Sequence, residues 1–184
     1  MRLILLLLAL LLAAGCDRQK AEVQQGEAAE GVPSKGVDRS RAGRPLPDRE
    51  LKDADDEPSS LAALAGEPVL VNLWATWCAP CVKELPTLET LSKRGQGLRV
   101  VAVSQDMGPR RSVNAFVERL GLADLEIWHD SEMALSGALD AQVLPTTILY
   151  DRQGREMWRY VGDLDWTGEE ASKLLAEAGA AGAG

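Results

Sequence analysis

The segment from Pro68 to Cys81 constrains this chain most. Pro68 to Ala75 (PVLVNLWA) is a continuous apolar run, the pattern of a strand covered on both faces. Cys78-Ala79-Pro80-Cys81 follows directly, where helical spacing begins through Val82, Leu85, Leu88 and Leu91. Two thiols separated by two residues at a helix start can close a disulfide within one turn. The unpaired N–H groups and dipole of that helix end favour a thiolate. Cys78, at the tip, is then the attacking nucleophile, and Cys81, one turn in and more buried, resolves the mixed disulfide. Pro80 sits in the first turn, where a missing N–H costs nothing.

Composition narrows the alternatives. The 184 residues carry 20 Lys+Arg against 28 Asp+Glu, a formal net charge of −8, which leaves no basic surplus for a nucleic acid. Three cysteines are too few for a disulfide-stapled miniprotein. A single histidine rules out a His-rich metal site, and a zinc knuckle needs four ligands where no second Cys pair exists. A purely structural disulfide across so tight a loop gains little chain entropy. The residues point to a redox-active dithiol, with no organic cofactor and no metal.

The N-terminus reads as an address. Met1 and Arg2 precede twelve unbroken apolar residues, Leu3 to Ala14, fewer than the roughly 20 of a spanning helix. One positive charge, a short apolar stretch and small residues are the layout of a secretory signal over 1–15. Ala13-Ala14-Gly15 before Cys16 resembles a bacterial lipoprotein cleavage site, which implies lipidation of Cys16 and a stable membrane anchor. Asp17 resembles an inner-membrane retention signal. From Cys16 to Glu57 charges abound, and from Asp17 onward only Val23, Val32, Val37, Leu46 and Leu51 are large and apolar. That stretch, 16–57, is expected to be a disordered tether with a span on the order of 40 Å. Its end, from Arg44, could pack on the domain as an irregular lead-in.

The domain, 58–180, reads as an α/β fold of alternating strands and helices: a central mixed sheet flanked by helices. Strands are predicted at Leu98–Val103, Leu125–Trp128, Thr146–Tyr150 and Arg155–Val161, the last two forming a hairpin. Helices are predicted at Ala79–Lys93, at Ser112–Leu120 with Ser112 as cap, at Ser131–Leu139 and at Thr167–Ala178.

The segment WATWCAPC, preceded by PVLVNLW and followed by VKELP, closely resembles the TlpA/ResA/CcmG type of bacterial thioredoxin-like proteins, membrane-tethered extracytoplasmic thiol–disulfide oxidoreductases. The resemblance covers about Ser59 to Ala176. It implies a thioredoxin-like fold, with an extra strand–helix element that the stretch from Asp106 to Leu139 can hold. It implies that Trp77 faces the partner beside the nucleophile. Glu84, on the face of Cys81, implies an acid assisting proton transfer at the cysteines. Pro86 implies a kink inside the helix. Pro145 matches the family's cis-proline facing the dithiol, which makes Leu144 the residue whose backbone binds an extended partner. The remaining tryptophans read as packing, His129 as a loop residue, and the tail after Glu177 as frayed.

The resemblance further implies protein substrates with disulfides or cysteine pairs, in cytochrome c maturation or copper-site assembly. It implies recharging by a membrane electron donor of the DsbD/CcdA type, and a place on the periplasmic face of the inner membrane. Two rivals are a thiol peroxidase of the same fold and a copper-binding chaperone module. A peroxidase normally places Thr three residues before its cysteine, whereas Thr76 lies two before Cys78. Copper chaperones of this fold use a wider cysteine spacing and a His.

Overall fold

A computed structural model describes residues 34–95 and 97–181. Leu3–Ala14 and Cys16 lie outside the described residues. Eight strands form one mixed sheet: β1 (Gly36–Asp38), β2 (Leu51–Lys52), β3 (Pro58–Ser59), β4 (Val69–Trp74), β5 (Arg99–Ser104), β6 (Glu126–His129), β7 (Thr146–Tyr150) and β8 (Glu156–Val161). Their spatial order is β1-β8-β7-β4-β5-β6-β2-β3. The centre, β4-β5-β6, is parallel, while β7, β8 and β1 continue it antiparallel. The helices are α1 (Ala79–Arg94), α2 (Arg110–Leu120), α3 (Ala134–Ala138) and α4 (Glu169–Ala181), with a 3-10 helix at Leu61–Leu64. Among the described residues no helix is long and apolar enough to cross a membrane.

Period-two alternation in β4 sorts the core into two halves. Leu70 and Trp74 point into one cluster with Leu85, Leu88, Val113, Trp158, Trp166 and Leu174, so α1, α2 and α4 cover that face. Val69, Val71 and Leu73 point into the other, with Leu61, Leu64, Trp128, Leu135, Ile148 and Tyr150. That second face has only the short α3 and the 3-10 helix from the domain proper. Leu46 and Leu51 complete it, both buried.

The expected disordered tether therefore needs correcting over its described part. Residues 34–57 are folded onto the domain: β1 zips along β8, Gly43 N–H donates to Glu156 O (2.7 Å), and Leu46 N–H donates to Gly154 O (2.8 Å). The cause is not local hydrophobicity. An edge strand offers backbone partners irrespective of side chain, and the half-covered sheet face needs two leucines. The domain begins near Lys35 rather than at residue 58.

Smaller differences have local causes. α2 begins at Arg110 after Pro109, so Ser112 lies in the first turn rather than at the cap. α4 begins at Glu169, because Asp165 takes Thr167 N–H and Oγ1 into a turn of its own. His129 ends β6 rather than sitting in a loop; it is buried, and its Nε2 lies 2.8 Å from Asp106 O. α1 runs through Pro86 without interruption.

Candidate active site

α1 begins where β4 ends, and Cys78 is its N-cap residue in extended conformation. Cys81 N–H donates to Cys78 Sγ (3.3 Å), and the two sulfurs are joined at 2.04 Å with Cα atoms 5.3 Å apart. Cys78 is 6% exposed and Cys81 fully buried, the ordering expected of a nucleophile and a resolving thiol. Trp77 beside them is 66% exposed, whereas Trp74, Trp128, Trp158 and Trp166 are buried. Cys78 opens on a cleft of about 420 Å³. Trp77, Ala79 and Pro80 form one wall; Met133, Ser136, Ala141, Gln142 and Leu144 form the other. The Leu144–Pro145 peptide bond is cis, and Pro145 O accepts from Gly162 N–H (2.8 Å). None of the side chains lining this cleft is charged, in a chain that is 26% charged.

Glu84 lies one turn beyond Cys81 on α1 and is buried. Asn72 Nδ2 donates to its Oε1 (2.7 Å), while Leu164 N–H (3.0 Å) and Trp166 Nε1 (3.3 Å) donate to its Oε2. Asn72 comes from the same face of β4 as Leu70 and Trp74, directly beneath α1, and also donates to Thr147 Oγ1 (2.9 Å). Burial pushes the Glu84 carboxyl up to about 7, against the opposing pull of those three donors. A carboxyl poised there can take or give a proton near neutral pH.

A second carboxylate fixes the loop before the dithiol. Asp106 accepts from Thr76 N–H (3.0 Å), Thr76 Oγ1 (2.6 Å) and Ser104 Oγ (2.8 Å). It bolts Ala75–Trp77 to the end of β5, so Trp77 and Cys78 are presented from a rigid base.

Known proteins resemble this chain in sequence and in fold. The Redoxin family profile matches residues 41–176. The chain is 34% identical over 127 residues to the thiol-disulfide oxidoreductase ResA of Halalkalibacterium halodurans, covering 68% of this chain and 71% of that protein. It is 35% identical over 114 residues to ResA of Geobacillus kaustophilus, covering 61% and 64%. The crystal structure of a DsbF homologue from Corynebacterium diphtheriae superposes with a TM-score of 0.64 at 22% identity, covering 82% of this chain and 96% of that one, a likeness of fold. The chain belongs to the redoxin family. Within it, the likeness is to the ResA-like thiol–disulfide oxidoreductases, and the fold is thioredoxin-like.

In this redoxin the structure brings together Trp77, Cys78 and Leu144 around one cleft, with Cys81 behind Cys78, and places Pro145 next to Leu144. Glu84 shares the helix but faces the sheet and the Gly162–Trp166 loop. Sequence reasoning missed Asn72, Thr147 and Trp166 around Glu84, and Asp106 behind Thr76. Asn72 carried a signal, being the one polar residue in an otherwise apolar strand. Trp166 was read as packing alone, although its indole N–H serves the carboxylate. Asp106 has no local signature.

Proposed function

We propose that this chain is a membrane-tethered, extracytoplasmic thiol–disulfide oxidoreductase that reduces disulfides in protein substrates. The carrying observation is the Cys78–Cys81 pair at the start of α1, open to an uncharged cleft whose opposite wall ends at Leu144, the residue before the cis-bonded Pro145. In the reaction, the Cys78 thiolate attacks a partner disulfide, the partner's leaving sulfur departs as a thiolate, and a mixed disulfide forms. Cys81 gives its proton to Glu84 and attacks Cys78 Sγ, releasing the second partner thiol and leaving Cys78–Cys81 oxidised. A membrane electron donor of the DsbD/CcdA type is the proposed source of the two electrons that restore the dithiol. Substrates in cytochrome c maturation or copper-site assembly fit the family likeness. Lipidated Cys16 is the proposed anchor, on the periplasmic face of the inner membrane.

The test is in vivo trapping with Cys81→Ser, which should accumulate partners as mixed disulfides on Cys78. Absence of such adducts, together with failure of the purified protein to cycle in a glutathione titration, would overturn the reading. Faster turnover of peroxide than of protein disulfides would replace it with the peroxidase. Cys16→Ser should release the protein from membranes if the anchor is a lipid.

A further inference from the structure

The wall of the cleft opposite Trp77 is anchored at its helix, where Asp130 accepts from Ala134 N–H (3.1 Å) and Leu135 N–H (2.7 Å), and its loop is tied back by Ala141 N–H on Ser136 O (2.9 Å) and gripped from outside. It is built from α3, five residues long, and the loop Leu139–Leu144 that leads into β7. Met133, at the start of α3, and Asp140, at the start of the loop, both adopt left-handed backbone conformations (φ 54° and 52°). Such residues persist where their surroundings hold them. Two arginines grip the back of this loop. Arg159, fully buried and paired with Glu156, donates through Nη1 to Leu139 O (2.8 Å). Arg41 donates through Nη1 to Asp38 (2.8 Å) and through Nη2 to the Asp140 carboxylate. Ala141, Gln142 and Leu144 follow Asp140 and line the dithiol cleft.

Arg41 belongs to the strap, residues 35–46, that the sequence assigned to a tether. The strap is secured on both sides of Arg41, by β1 on β8 and by Leu46 in the core. Arg41 is accordingly a fixed point, not a swinging surface charge. We infer that the strap is a working part of the cleft: Arg41, by holding Asp140, positions the Ala141–Leu144 wall against which a partner's chain is seated beside Cys78. The inference rests on the proposed reduction of protein disulfides, and it makes Arg41 a positioning residue. A small disulfide reaches Cys78 without using the wall. A polypeptide must use it.

The test compares reduction of insulin disulfides with reduction of 5,5′-dithiobis(2-nitrobenzoate) by the full chain, first reduced with dithiothreitol and then freed of it, in single turnovers whose half-saturating concentration and limiting rate stand for KM and kcat; each turnover oxidises Cys78 and Cys81 to their disulfide. Arg41→Ala should raise KM for insulin roughly threefold to tenfold, the coupling typical of a contacting pair, with a much smaller change in kcat. Its rate with the small disulfide should change by less than about twofold on the same scale. Asp140→Asn should have the same effect, and the double variant should be no worse than either single one. Arg41→Lys, which keeps one charge and one donor, should recover part of the loss. Lys173→Ala, removing an exposed pair on α4, serves as the control and should alter neither reaction. An unchanged KM in Arg41→Ala, equal losses on both substrates, or additive losses in the double variant would each overturn the inference. Should Arg41→Ala fail to fold, Asp140→Asn and Arg41→Lys carry the same comparison. A wild-type protein that reduces the small disulfide but not insulin would instead sink the proposed function.

Discussion

Glu84 shows how burial turns a common residue into a titrating one. Its carboxyl has three donors, yet removal from water outweighs them and lifts it from 4.5 to about 7. Between those values the folded protein holds a proton that the unfolded chain has released. Stability from this group is therefore fully present below about pH 4.5 and is lost as pH rises through about 7, by about 3 kcal/mol at 1.36 kcal/mol per pKa unit. Urea unfolding of the oxidised protein at pH 5 and pH 8 should show this decline. Glu84→Gln should flatten it, and a parallel decline in both proteins would mean that another group sets the slope. The proposed transfer of the Cys81 proton to Glu84 draws on the same property. Its tuning is shared with Asn72, Leu164 and Trp166, none of which lines the dithiol cleft.

α1 carries a second buried carboxylate, five residues on, with the opposite behaviour. Glu89 accepts from the backbone N–H groups of Ala123 (3.2 Å), Asp124 (3.1 Å) and Leu125 (2.7 Å), and pairs with Lys93 Nζ (3.0 Å). Burial pushes its carboxyl up, but Lys93 and the three amides together hold it below the usual carboxylate range. Its stabilisation is present above the unfolded value near 4.5 and is lost as pH falls through the lower folded one. As an element, α1 is thereby stapled to the turn that starts β6, while its other end offers the dithiol. Glu89→Ala should cost about 2 kcal/mol by orphaning those amides, a fall of roughly 4–8 °C in Tm at pH 7. Calorimetry at pH 7 and pH 3 should show the gap narrowing in acid. A gap that widens would contradict the sign.

Over the whole molecule, the N-terminal segment decides whether one sheet face is closed. Leu46 and Leu51 are buried in one cluster with Val69, Val71 and Ile148, where the only helices the domain proper contributes, among the described residues, are the short α3 and the 3-10 helix. Burying two leucines is worth about 3–6 kcal/mol. A chain of residues 58–184 should therefore melt roughly 6–20 °C below one of residues 34–184, and should bind a dye for exposed apolar surface. Equal melting temperatures would mean that the segment decorates the sheet without closing it. The dithiol should still react with small reagents in the shorter chain, because β4, α1 and Asp106 lie outside the deleted part.

What could be read in advance was what neighbours in sequence settle among themselves. The apolar run of β4, the helical spacing after Cys81 and the β-branched Thr146–Tyr150 each encode an element within a few residues. Their junction places two sulfurs at a helix start without reference to anything distant. The unread features all join residues far apart along the chain: Asn72 to Glu84 across 12 positions, Trp166 to Glu84 across 82, and Arg41 to Asp140 across 99. No local pattern marks such partners, since each is chosen by which strand lies beside which. The ordering of residues 34–57 has the same origin. Their composition is that of a solvated coil, and they fold because a bare strand edge and an open apolar face are already waiting for them.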